Sequence, residues 1–138
     1  MGYPAIEEEQ KIIHQGKASK KALQAVISKE DVVSLSKLAD LVYIDPSVER
    51  YIVEIVAATR TNANVVLGAS PRGSIALAGA GKVIALMRGR GHVLPDDIKY
   101  LAKAVLAHRI SLTNEAKLKH VSTAQVIDEI LDGIIVPA

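Results

Sequence analysis

Residues 71–88 constrain the fold more than any other stretch of this 138-residue chain. Ile75, Leu77, Val83, Ile84, Leu86 and Met87 spread over more than half of a helical wheel, with Ala76, Gly79 and Ala80 among them. A helix that is apolar on so many sides is stable only when neighbours surround it. Its small residues let those neighbours approach closely. The pattern predicts a long, buried, central helix, closed by Gly89 and Gly91, since glycine accepts the left-handed turn that ends helices. The start is equally legible. Ser70 suits the N-cap, where its hydroxyl can accept from a first-turn amide. Pro71 suits the first helical position, which needs no N–H.

Similar punctuation sets out the remaining elements. Residues 5–15 predict a peripheral helix after Pro4, with Glu7, Glu8 and Glu9 in its first turn and only Ile6, Ile12 and Ile13 apolar. Residues 16–25 are basic and polar and read as a loop. Ser28 and Asp31 have capping-box spacing, ahead of a helix that sets Val32, Leu35, Leu38, Ala39 and Val42 on one face. Residues 42–44 are extended. Asp45-Pro46 starts a third helix with a stripe of Val48, Tyr51, Ile52, Ile55, Val56 and Thr59, and an outer Arg50–Glu54 pair. Residues 61–67 read as a loop, given Asn62 and Asn64. After extended Val93-Leu94, Pro95-Asp96-Asp97 opens a helix bearing Ile98, Leu101, Ala102, Val105 and Leu106. Residues 108–112 read as an extended exit and residues 114–121 as a polar loop. Ser122 and Gln125 form another capping box, before Val126, Ile127, Ile130 and Leu131, and Gly133 stops that helix. The β-branched run Ile134-Ile135-Val136 is free to pair with another extended piece. The sum is a mostly α fold: a compact helical bundle, with a small β-sheet open to its short extended segments.

Composition removes several function classes. Phe and Trp are absent and Tyr occurs four times, although 49% of residues are apolar. The core is therefore aliphatic, and the aromatic platforms that stack single-stranded nucleic acid are missing. A net charge of +2 with interspersed signs leaves no electrostatic footprint for duplex DNA. With no cysteine, disulfides, thiolate metal sites and a Cys nucleophile are excluded. No apolar run nears the ~20 residues that span a bilayer, and the N-terminus lacks a signal-peptide pattern. His14, His92, His108 and His120 share no helical metal spacing. Residues 76–83 approximate a phosphate-binding loop, but Val83 stands where a magnesium-binding hydroxyl belongs, and the stretch lies inside a helical pattern. Asp96 and Asp97 suit a helix start. Arg88, Arg90 and His92 cluster at a helix C-terminus, where the dipole favours cations.

Arg72 goes against these local rules. It sits in the first turn of the central helix, beside the positive end of the macrodipole, where a cation is disfavoured. Two readings are open on spacing alone. One is an exposed arginine in a surface ion pair. The other is an arginine whose site is completed by something anionic, such as a phosphate.

The motifs resemble a known family. Gly68-Ala69-Ser70-Pro71-Arg72-Gly73 is similar to the segment that carries the sensor 2 arginine of MoxR-type AAA+ ATPases. Arg88-Gly89-Arg90-Gly91-His92-Val93-Leu94-Pro95-Asp96-Asp97-Ile98 resembles the family's next block, and residues 104–110 the one after it. Gly2-Tyr3-Pro4 with Glu7, Glu8 and Glu9 resembles the segment joining ATPase core to lid. The resemblance implies a C-terminal helical lid over residues 28–138, with residues 1–27 as linker helix and loop from an ATPase core that carries the Walker elements. It implies that Arg72 is the catalytic sensor 2 residue, that Ser70 and Arg72 contact nucleotide, and that no residue here binds metal. ATP and Mg would belong to the full-length parent, with none expected on the fragment. The implied partners are the parent's AAA+ core, further copies in a homo-oligomeric ring, and client proteins for chaperone-like remodelling, in the cytoplasm. Two residues depart from the pattern: Leu94 replaces a hydroxyl cap, which predicts a frayed helix start, and Gly73 stands where alanine is commoner. A free-standing helical DNA-binding or adaptor domain is the alternative, drawn from the slightly basic balance and the tight turns near Pro95.

Overall fold

The computed structural model describes residues 4–15 and 24–137. Most of the loop expected over residues 16–25, and Gly2 and Tyr3, fall outside the described residues. The helices are α1 (Ile6–Gln15), α2 (Lys29–Asp40), α3 (Pro46–Thr61), α4 (Pro71–Met87), α5 (Pro95–Leu106), α6 (Asn114–Leu118) and α7 (Thr123–Gly133). A 3₁₀ turn, Ala107–Arg109, follows α5, and β1 (Val65–Leu67) and β2 (Ser111–Leu112) form a two-stranded sheet. The mostly α fold with one small sheet is thus the one expected. Among the described residues no helix is long and apolar enough to cross a membrane.

Helix α4 is central, packing against α2, α3 and α5. It buries a single row of residues, Gly73, Leu77, Gly81 and Ala85. The small members bring α5 close: a Cβ on Gly81 would stand 2.8 Å from Ile98 Cδ1. A Cβ on Gly73, the departure from the family pattern, would stand 3.1 Å from Leu106 Cδ2, a tight contact. The expectation of a helix surrounded on every side is corrected. Ile75 is 73% and Met87 76% exposed, because three neighbours leave one face of α4 open. Helix α2 leans on α4 through Ala39, while Val32, Leu35 and Leu38 stay about half exposed, so its apolar face is only partly used. Helix α1 is peripheral as expected, with Ile6, Ile12 and Ile13 exposed. The stripe predicted for α3, Val48 to Thr59, is buried throughout.

Helix ends follow the sequence closely. Asp45 caps α3 by accepting from Ser47 N–H at 2.9 Å, and the capping boxes at Ser28 and Ser122 both form. Gly89 closes α4 with φ +71°. Arg90 N–H donates to Ala85 O and Gly89 N–H to Leu86 O, both at 2.9 Å, the bond pair of a Schellman motif.

Three loop expectations are overturned. The Asn62 side chain accepts from Asn64 N–H at 2.8 Å, turning the chain back so that the supposed loop ends in β1. β1 pairs antiparallel with β2, Val65 opposite Leu112 and Leu67 opposite Ser111, across a bulge. That pairing occupies the extended exit, and the terminal run Ile134-Ile135-Val136 forms no strand. The 3₁₀ turn at Ala107–Arg109 takes up the first part of the exit expected from residue 108. The polar loop over residues 114–121 contains α6, because the Thr113 hydroxyl accepts from Ala116 N–H at 3.2 Å and Ala116 is buried as its anchor. The extended pieces at Tyr43 and Val93 meet instead: Tyr43 N–H donates to Gly91 O at 2.9 Å and Val93 N–H to Tyr43 O at 3.0 Å.

Candidate functional site

The loop from Gly68 to Ser70 runs across the C-terminal turn of α3 before α4 begins. Ala69 is buried there. Its N–H donates to Thr59 Oγ1 at 2.9 Å, and its carbonyl accepts from Arg60 Nε at 2.8 Å. Ser70 has the extended backbone of an N-cap, φ −76° and ψ 169°, but its hydroxyl accepts nothing from the first turn. The expected cap is therefore absent. Gly73 N–H is taken by the Ser70 carbonyl at 2.8 Å instead, which tightens the first turn. Pro71 occupies the first position as expected.

Arg72 is exposed at the start of α4, on the same side as Ile75 and Gly79. Among the described residues it makes no ion pair and no hydrogen bond. The surface pair that spacing allowed is not formed. Ser70 is also exposed, so a hydroxyl and a guanidinium stand uncommitted together at one helix start. An apolar groove of about 650 Å³ lies farther along α4, between α2 and α4, with Lys82 at its edge donating to Asp40 O.

The other arginines are committed. Arg88 and Arg90 do not simply face the C-terminal dipole of α4; both turn to Asp97. Asp97 is fully buried and accepts from Arg88 Nη1 at 2.7 Å, from Arg90 Nη2 and Nη1 at 2.7 and 2.8 Å, and from Leu94 N–H at 2.9 Å. Burial pushes its carboxyl pKa up. The Arg90 hydrogen bonds, the Leu94 N–H and the charges of Arg90 and Arg88 outweigh that, and hold it below the usual value. Arg88 also lies over the Tyr100 ring, 5.3 Å from its centroid. The frayed start expected for α5 is thereby corrected: Leu94 offers no acceptor, but Asp97, two residues beyond Pro95, reaches back to the Leu94 N–H. Sequence reasoning missed this cluster. Its signal was two arginines seven and nine residues ahead of an acid at the third position of a helix.

Residues 76–83, the near-match to a phosphate-binding loop, lie inside continuous helix. Among the described residues no three His, Asp or Glu side chains are grouped to hold a metal ion. The buried Tyr51 hydroxyl has no partner among the described residues, and burial, then the Asp96 charge, raise its pKa.

The fold is a small helical module in which Arg72, exposed at the start of the central helix, has no partner among the described residues. Residues 57–130 match the AAA lid domain family, more than half of the chain, and the chain belongs to that family. It is 42% identical over 139 residues to the uncharacterized protein YeaC of Bacillus subtilis (strain 168), covering 99% of this chain and 43% of YeaC. It is 32% identical over 146 residues to chaperone MoxR1 of Mycobacterium tuberculosis, covering 99% of this chain and 39% of MoxR1. A crystal structure of a candidate ATPase from Cytophaga hutchinsonii superposes with a TM-score of 0.81 at 33% identity, over 100% of this chain and 45% of that one. The chain is thus a lid of the MoxR-like AAA+ type, and it spans under half the length of each of these relatives.

Proposed function

We propose that this lid contributes a sensor 2 arginine, Arg72, to ATP hydrolysis by a MoxR-type AAA+ ATPase. The observation that carries the reading is the uncommitted guanidinium at the first turn of α4. A cation is disfavoured there until an anion arrives, and every arginine of the α4–α5 corner is already paired with Asp97. ATP is the substrate. Its phosphates and a Mg ion would be held by the core joined to this lid, with Ser70 and Arg72 facing them from the lid side. Arg72 would stabilise charge gathering on the γ-phosphate as the terminal bond breaks. Residues 1–27 serve as the connection to that core. A cytoplasmic ring of copies and chaperone-like remodelling of client proteins extend the reading, supported by the 32% identity to a protein named as a chaperone. A free-standing DNA-binding domain gains no support from the family match.

The test is Arg72→Ala in the full-length protein. Removing one aimed donor costs about a hundredfold or more in turnover, and an exposed, unpaired side chain leaves the fold intact. Full turnover in the variant refutes the reading, and an unfolded variant makes Arg72 structural instead. ATP turnover by the isolated purified chain would contradict it as well.

A further inference from the structure

Ser70 fills the N-cap position without capping, so the bearing of α4 is set one residue earlier, at Ala69. We propose that Thr59 is a positioning residue for Arg72, acting through Ala69, with Arg60 closing the clamp; the inference rests on the reading of Arg72 as the phosphate-contacting arginine.

The polarity of the clamp is fixed. The Thr59 hydroxyl donates its proton to Val56 O at 2.6 Å, which leaves a lone pair for the Ala69 N–H at 2.9 Å. Thr59 and Ala69 are 0% and 1% exposed, so water cannot take over this bond. The Ala69 carbonyl is held at the same time by Arg60 Nε at 2.8 Å. Both faces of one residue are thus tied to the last turn of α3. The approach is so close that a Cβ on Gly68 would stand 2.7 Å from Arg60 Cα and 2.8 Å from its N. Pro71 fixes φ between the clamp and Arg72, so a shift at Ala69 passes to the Arg72 Cα with little slack. Arg72 has no partner among the described residues to correct that shift. Its reach is set by the backbone.

The experiment compares Thr59→Val, Thr59→Ser, Arg60→Met, Arg72→Ala and the Thr59→Val/Arg72→Ala double variant in the full-length protein. Readouts are kcat and KM for ATP, with thermal unfolding as the fold control. Thr59→Val keeps the shape and removes the acceptor; a displacement of an ångström or so lowers kcat about ten- to a hundredfold, while KM stays within about threefold. Thr59→Ser keeps the acceptor and restores kcat. The double variant is no slower than Arg72→Ala alone, because both act through one group. Wild-type kcat in Thr59→Val beside an impaired Arg72→Ala overturns the positioning role and spares the sensor reading. Multiplying losses in the double variant overturn it too. Wild-type kcat in Arg72→Ala overturns both. If Thr59→Val does not fold, Arg60→Met decides, since that side chain is exposed and loses only the bond to the Ala69 carbonyl: reduced kcat supports the clamp and wild-type kcat overturns it.

Discussion

Replacing Asp97 by Asn tests what locks α4 to α5. The side chain keeps its volume, loses its charge, and turns one acceptor into a donor facing guanidinium N–H groups. Four hydrogen bonds end on the carboxylate, three from arginines and one from Leu94 N–H. Breaking a buried ion pair costs about 3–5 kcal/mol when the surviving charge is stranded. Here it is not stranded, because the Arg88 and Arg90 side chains are 47% and 22% exposed and turn to water. That discount leaves the carboxylate's charge-assisted bonds at the low end of their range, and the bond to Leu94 N–H adds a helix-start contribution. Together they come to about 2–3 kcal/mol. At roughly 3–4 °C per kcal/mol for a chain of this size, the melting temperature falls by about 6–12 °C. The assay is urea and thermal unfolding of both proteins across pH. The Asp97 carboxyl titrates below its ordinary value when folded. Its contribution is therefore complete above the unfolded pKa of about 3.9, and is lost as pH falls through the lower folded pKa. The gap between wild type and Asp97→Asn is widest near neutrality and closes in acid. Equal stability at pH 7, or a gap that widens on acidification, refutes the reasoning.

Cap substitutions separate working from idle serines. Ser122→Ala loses a formed capping box and about 1 kcal/mol, whereas Ser70→Ala, with no cap bond to lose, leaves urea midpoints unchanged. Among the α4 glycines, Gly79 has nothing within 4 Å of an added Cβ, whereas Gly81 meets Ile98 Cδ1 at 2.8 Å. Gly79→Ala therefore gains up to about 1 kcal/mol of helix propensity. Gly81→Ala offsets that gain with about 1–3 kcal/mol of overpacking, and denaturant unfolding orders the two. Tyr51→Phe removes a buried hydroxyl that has no partner among the described residues, so calorimetry shows stability held or raised.

Much of the fold was legible because its signals are local. Asp45, Ser28 and Ser122 act within one helical turn, Gly89 closes a helix through bonds that reach back three and five residues, and the α3 stripe needs only a period of 3.6. The misses share a different cause. Asn62 reads as a turn residue, but where that turn sends β1 depends on β2, more than forty residues later. Arg88 and Arg90 read as dipole partners of their own helix until Asp97 is seen buried between them. Ser70 reads as a cap, yet its carbonyl and not its hydroxyl takes the Gly73 N–H, while Thr59 and Arg60 hold Ala69 just ahead of it.

The sequence by itself determined where helices begin and end, that the core is aliphatic, and that Arg72 is out of place electrostatically, because these follow from neighbouring residues and a single repeat. Tertiary structure alone decided which arginines are spent on Asp97 and which one has no partner among the described residues. It also decided which face of α4 remains open, and that Thr59 holds the start of that helix. Those outcomes depend on which groups, distant in sequence, are brought within hydrogen-bonding reach and shut away from water.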